Sequence, residues 1–385
     1  MARPTAATSA PRAKRSTRPA RPASGPSSAP EPARGGGRLR RADPRQPGIR
    51  RRRAGRGFVY VGPDGRRITD QAVLGRIAGL VIPPAWEDVW ICPLPNGHIQ
   101  ATGTDARGRR QYRYHDTWRS QRDRHKFDHM LKVAAALPRV RRVCAAHLAL
   151  DGLGADKVLA AAVRLLDIGF FRVGGAEYAE ENGSYGLATL LREHARIAGD
   201  EVVFDYPAKS GRERIQSVAD AEVRSVVAAL KARRGGGAEL LAYREAGRWV
   251  DVTSADINSY LRRVAGMDIS AKDFRTWNAT VLAAVGLAVS WQARVSARAQ
   301  DRAIRRVVCE VAGYLGNTPT VCRTSYIDPR VIDLYRDGTT IRPALDRIGQ
   351  GAEPGGLSVQ GAVERAVLSM LRRAGETGAL SRSAA

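Results

Sequence analysis

Arg172 in IGFFRVGG, Lys209 in FDYPAKSG, Arg275 in KDFRTW, and Asn317 and Tyr326 in LGNTPTVCRTSYIDP are side chains suited to work on a phosphodiester. A phenol of pKa about 10 is a fair nucleophile once positioned, and guanidiniums grip non-bridging phosphate oxygens bidentately as charge develops. An alkoxide leaving group needs a proton. An ammonium of pKa about 10.4 gives one up more readily than a guanidinium above about 12, so Lys209 suits the acid. Asn317 can donate an amide hydrogen bond to the same oxygens but cannot shuttle a proton. Together these residues suit covalent catalysis by a tyrosine without a metal. Each also has a plainer reading: Tyr326 as a half-buried core residue, Arg172 and Arg275 as ion-pair partners of Glu177 and Asp273, Lys209 as a solvated turn lysine.

Other chemistries fit less well. Two-metal phosphoryl transfer needs several carboxylates around the ions, and Glu177, Glu180, Glu181, Asp273 and Asp328 are scattered without a D-x-D or H-x-D pattern. The Gly-rich phosphate loop of ATP-using enzymes is missing from the sequence, so no cofactor and no metal are expected. Cys92, Cys144, Cys309 and Cys322 form no C-x-x-C pair and read as reduced thiols of a cytosolic protein. His194 is the last histidine, so catalysis by the second half must do without imidazole.

The elements that must position these residues follow from patterning. Short β-like runs (FVYV, DVWICPL, HIQATG, QYRYH) separated by turn residues fill the stretch from Phe58 to about Met130. From Phe127 the apolar spacing becomes helical, in DHMLKVAAALPRVRRVCAAHLAL and DKVLAAAVRLLDIGFF. EVVFDYPAKSGRERIQSV reads as a hairpin with Lys209 at its tip, ELLAYR and RWVDV as a short extended pair, and Thr253 with Asp256 as a helix-capping box. Helices are predicted at about 271–291, 296–314 and 359–373. The fold class is α+β: a small N-terminal antiparallel sheet domain over 57–130 and a mainly helical domain over 131–347, with a joint, helix and tail over 348–385.

Residues 1–56 hold 16 of the 63 Lys and Arg side chains against Glu31 and Asp43, so about half of the net charge of +25 sits there. Rich in Pro, Ala, Ser, Gly and Arg, this segment is predicted to be a disordered arm that binds nucleic acid weakly. The remaining chain is basic as well, which points to a polyanionic partner. No apolar run reaches the ~20 residues of a membrane span, so a soluble protein is expected.

Five segments resemble, in order, the type IB DNA topoisomerases of the compact bacterial and poxvirus-like branch. They are VIPPAWEDVWICPLPNGHIQATGTDARGRRQYRYHDTWRSQRD, FFRVGGAEYAEENGSYGLATL, FDYPAKSG, KDFRTW and VAGYLGNTPTVCRTSYIDP, and the resemblance covers about residues 58–345. It implies a catalytic domain of the tyrosine recombinase and topoisomerase IB type and a C-shaped clamp around duplex DNA. Its tetrad and nucleophile fall on Arg172, Lys209, Arg275, Asn317 and Tyr326. Asn317 stands where many relatives have histidine and bacterial members asparagine. The family also implies DNA-binding positions at Gln111, Tyr112, Tyr114, Tyr178 and Lys272. Relaxation without ATP or a required metal follows from the resemblance, by a monomer acting on double-stranded DNA in the nucleoid-associated cytoplasm.

Two other functions use the same features. A tyrosine recombinase carries a similar Arg, Lys, Arg, Tyr set, but usually beside an all-helical module where this sequence has β-like runs. A non-catalytic nucleoid protein would hold DNA through its charge alone, in a salt-sensitive way.

Overall fold

The computed structural model describes residues 38–383, apart from 177–178, 181–182, 293–295 and 350–357. The architecture is α+β, and the chain divides into two compact units after Trp118.

In the first unit, β1 (Ile49–Ala54), β2 (Gly57–Val61), helix α1 (Gln71–Gly79), β3 (Glu87–Ile91), β4 (Ile99–Thr104) and β5 (Arg110–Tyr114) follow in chain order. The strands form an antiparallel sheet in the order β2-β1-β3-β4-β5. One face buries Ile49, Val89, Ile91 and Ala101 together with Ile77 of α1. Asp70 starts that helix by accepting from the N–H groups of Ala72 and Val73.

This corrects the reading of residues 1–56 as a disordered arm. Residues 49–54, IRRRRA, are a strand paired on both sides, and Ile49 is buried. Composition hides this strand because four of its six residues are arginine. Yet Arg51 turns inward, donating to the carbonyls of Pro83 at 3.0 Å and Trp86 at 2.5 Å, with its guanidinium 4.2 Å from the centre of the Phe58 ring. Residues 1–37 of the arm lie outside the described residues.

The second unit is mainly helical. Helix α2 (Asp116–Leu148) leads into it, followed by α3 (Ala155–Gly169). The first turns of α2, before Phe127, are too charged to show an apolar stripe, and its buried residues begin at Phe127. A three-stranded antiparallel sheet of β6 (Ala195–Ala198), β7 (Glu201–Ala208) and β8 (Arg212–Val218) comes next. Helix α4 (Ala221–Ala232) precedes the pair β9 (Ala242–Glu245) and β10 (Arg248–Asp251). Then come α5 (Ser254–Ala265), α6 (Ala271–Ser290), α7 (Ala297–Leu315), α8 (Pro319–Ser325), α9 (Pro329–Arg336), α10 (Arg342–Gly349) and α11 (Ser358–Ser383). Thr253 caps α5 in the box with Asp256 that the sequence predicts. The predicted flexible joint after Ile348 lies almost entirely outside the described residues.

Helix α6 crosses the core, with Phe274, Trp277, Ala283 and Leu287 buried. Asn278 ties it to α3 by donating to the Asp167 carbonyl at 2.9 Å. Glu364 of α11 accepts from Trp277 Nε1 at 2.9 Å and pairs with Arg141, which also chelates Asp167. A buried charge is tolerable only when partnered in this way.

Candidate active site

The loop carrying Arg172 leaves α3 through Phe170, a non-glycine residue held in the left-handed region at φ 54°. Its course is fixed by backbone bonds from Leu187 to the Arg172 carbonyl and from Ala188 to that of Val173, at 2.8 and 2.7 Å. Gly174 and Gly186 let the two strands of chain meet: a Cβ on Gly186 would lie 2.5 Å from the Gly174 Cα.

Arg275 is presented by the second turn of α6. Asp273, its candidate ion-pair partner, is occupied instead in a capping box, accepting from the Ser270 N–H and hydroxyl at 2.8 Å each. The Arg275 guanidinium donates to the carbonyls of Phe170 at 2.5 Å and Leu315 at 2.7 Å. Arg275 is 4% exposed, and its Nε is buried without a hydrogen-bond partner among the described residues.

Asn317 follows α7, whose end turns at Gly316 with φ 61°. Its backbone N–H bonds back to Ala312 at 2.9 Å, and its side-chain oxygen accepts from Arg172. Its amide nitrogen, like Arg275 Nε, is a buried donor without a hydrogen-bond partner among the described residues. Lys209 sits on a three-residue turn between β7 and β8, exposed at the hairpin tip.

Tyr326 ends the short α8, and the two prolines around it each open a helix: Pro319 is the first residue of α8 and Pro329 of α9. Three non-local contacts hold its backbone. Lys126 of α2 donates to the Ser325 carbonyl at 2.9 Å. The hydroxyl of Thr280, on α6, is shared between the carbonyls of Thr276 at 2.8 Å and Tyr326 at 3.2 Å. The same oxygen accepts from the Asp328 N–H at 3.2 Å.

These segments enclose two adjoining cavities. One, of about 300 Å³, is bounded by Arg172, Lys209, Arg275, Asn317 and Arg214. The other, of about 350 Å³, is bounded by Arg172, Lys209, Arg275, Lys272 and Tyr326. All five sequence-predicted catalytic candidates therefore line these two cavities, which share Arg172, Lys209 and Arg275, with Lys272 beside them in the second. The Arg275 guanidinium stands 5.3 Å from the centre of the Tyr326 ring. Burial, helped by the nearby charge of Arg172, pushes Arg275 down to about 10. Burial alone would raise the Tyr326 phenol. Arg275, Arg172 and Lys272 outweigh it, and the phenol lies below its ordinary value.

Sequence reasoning missed Lys126, Thr280 and Arg214. Thr276 and Thr280 were visible as hydroxyls one turn apart in a predicted helix, a pattern that asks what each hydroxyl binds. Arg214 lines the cavity from β8 and donates to the Tyr314 carbonyl at 2.7 Å.

The DNA-binding candidates of the first unit lie on β5. Tyr112 and Tyr114 stack, centroids 5.9 Å apart, and both are well exposed. Gln111 points to the opposite face and donates to Asp105 at 2.9 Å. Tyr178 lies outside the described residues.

A half-buried tyrosine against a buried arginine, in cavities that Arg172, Lys209, Lys272 and Arg214 also line, is a site for an anionic ester. Residues 115–339, which include all five candidates, match the family described as eukaryotic DNA topoisomerase I, catalytic core. The chain belongs to the type IB DNA topoisomerases. Residues 57–105 of this topoisomerase also match the bacterial DNA topoisomerase IB N-terminal domain. The DNA topoisomerase 1B of Acanthamoeba polyphaga mimivirus is 26% identical over 295 residues, covering 75% of this chain and 88% of that protein. The DNA topoisomerase 1B of Vaccinia virus (strain Copenhagen) is 20% identical over 235 residues, covering 61% and 72%. Among the described residues no helix is long and apolar enough to cross a membrane.

Proposed function

We propose that this type IB topoisomerase relaxes supercoiled duplex DNA with Tyr326 as its nucleophile. The observation that carries the assignment is the buried Arg275 guanidinium over the Tyr326 ring, in a cavity that Lys209 and Arg172 also line.

The phenol oxygen attacks a backbone phosphorus, and the bond from phosphorus to the 5′ oxygen breaks. A 3′-phosphotyrosyl link and a free 5′-hydroxyl result. Arg172 and Arg275 stabilise the charge that develops on the non-bridging oxygens. Asn317 Nδ2 and Arg275 Nε, buried donors without a partner among the described residues, are groups that a phosphate oxygen would satisfy. Lys209, on its exposed turn, protonates the leaving oxygen. One phosphate ester replaces another, so the bond energy is kept, and the swivelled strand is resealed by the reverse reaction. No step calls on ATP. Lys272 and Tyr178 hold flanking DNA, as do Gln111, Tyr112 and Tyr114 from the sheet unit. The working form is a monomer on chromosomal DNA, clamped around the duplex.

A duplex whose cleaved strand ends a few nucleotides past the break tests this, because the released piece diffuses away and traps the link. The wild type is expected to give a protein–DNA band that survives denaturation, and Tyr326→Phe none. An adduct of equal yield from Tyr326→Phe would remove Tyr326 from the role.

A further inference from the structure

Strand β1 carries four arginines in a row, and its alternation splits them between the two faces of the sheet. Arg51 faces the side of α1 and is used up in hydrogen bonds to the carbonyls of Pro83 and Trp86. Arg50 and Arg52 face the other way and are exposed. Neither side chain makes a hydrogen bond or an ion pair among the described residues.

The register shows what shares their face. Arg50 is opposite Trp90 of β3, Trp90 opposite Thr102 of β4, and Thr102 opposite Tyr112 of β5. Directly paired residues project to the same side of a sheet. Arg50 and Arg52 therefore share a face with Tyr112 and Tyr114, and with Arg110, which donates to the Thr102 hydroxyl at 3.2 Å. Trp90 is 2% exposed, its indole N–H donating to the Gln46 carbonyl at 3.0 Å. The covering backbone runs close because residue 48 is glycine: a Cβ there would lie 2.1 Å from Trp90 Nε1.

Three strand spacings separate Arg50 from Tyr112, about 14 Å, close to the roughly 12 Å width of a DNA major groove. Two unneutralised guanidiniums at one end and two exposed phenols at the other match a surface with a phosphate wall on each side. We propose that Arg50 and Arg52 bind backbone phosphates of the same duplex that Tyr112 and Tyr114 face. The segment that composition assigns to a loose basic arm thus contributes fixed contacts, held in place by pairing with β2 and β3. The proposal rests on the duplex-relaxing function above.

Binding of the Tyr326→Phe chain to a short duplex, measured between 50 and 200 mM salt, tests it. Removing one arginine that neutralises a phosphate should lower the slope of log affinity against log salt by about 0.9. Arg50→Gln/Arg52→Gln is expected to lower it by nearly two, which shrinks the affinity loss over that range about tenfold. Arg50→Lys/Arg52→Lys, which keeps both charges, is expected to keep the parent slope. Arg53→Gln removes one charge from the opposite face and should change the slope by less than about half a unit. A double glutamine variant with the parent slope would overturn the proposal, as would an Arg53→Gln effect as large per charge. Failure of the parent chain to bind duplex in a salt-sensitive way would instead overturn the function on which the proposal rests.

Discussion

The Arg275 guanidinium lies 5.3 Å from the centre of the Tyr326 ring and is itself almost wholly buried. Burial raises the phenol, and Arg275 leads the charges, with Arg172 and Lys272 behind it, that together lower it and ease its ionisation. The sign follows directly. A depressed phenol loses its proton at lower pH, so single-turnover cleavage by the wild type should rise with pH and level off below about 10, the ordinary tyrosine value. Arg275→Gln is expected to move that rise to higher pH and to slow cleavage by about 10²–10³-fold. A slower variant with an unmoved pH profile would show that Arg275 acts on the phosphate alone.

Lys209 reaches the shared cavity from a hairpin tip. Lys209→Ala is expected to slow cleavage strongly when the leaving atom is oxygen. It should slow it far less when that atom is sulfur, which departs without a proton. Equal slowing of both substrates would contradict the acid role.

Asn317 spends its side-chain oxygen on Arg172, while its amide nitrogen has no partner among the described residues. Asn317→Ala should cost about 10²–10³-fold in cleavage, the usual effect of losing one donor to a developing oxyanion. Asn317→His keeps a donor and is expected to stay within about tenfold of the wild type. Wild-type cleavage by Asn317→Ala would place the phosphate elsewhere.

Thr280 bonds the backbone on both sides of Ile327 and stands on the helix that carries Arg275. Thr280→Val keeps the shape and removes both bonds. Cleavage should fall by about ten- to a hundredfold, the scale of a small misplacement of reacting groups, with duplex affinity unchanged. Thr280→Ser should restore most of the rate. A valine variant as fast as the wild type would show that the packing of α8 and α9 suffices.

Much of this site was legible because its signals are local. Capping chemistry marked the start of α5 at Thr253, and two β-branched runs around a Pro-to-Gly turn marked the hairpin bearing Lys209. Five short motifs in order identified the catalytic candidates, and the cavities bring those residues together. The sequence hid what depends on pairing across distance. Strand β1 reads as a charged tail until β2 and β3 are placed beside it. The Lys126 hydrogen bond joins residues 199 apart in sequence, and Thr280 reaches Tyr326 across 46. No periodicity shows such bonds, because they depend on how α2 and α6 pack around the end of α8.

The most direct measurement is relaxation of supercoiled plasmid by the purified protein in EDTA without ATP, beside Tyr326→Phe, read on an agarose gel. Stepwise relaxation by the wild type and none by the variant is the expected result. Relaxation by both chains, or by neither while duplex binding persists, would contradict the assignment of Tyr326 as the nucleophile of a metal-independent topoisomerase.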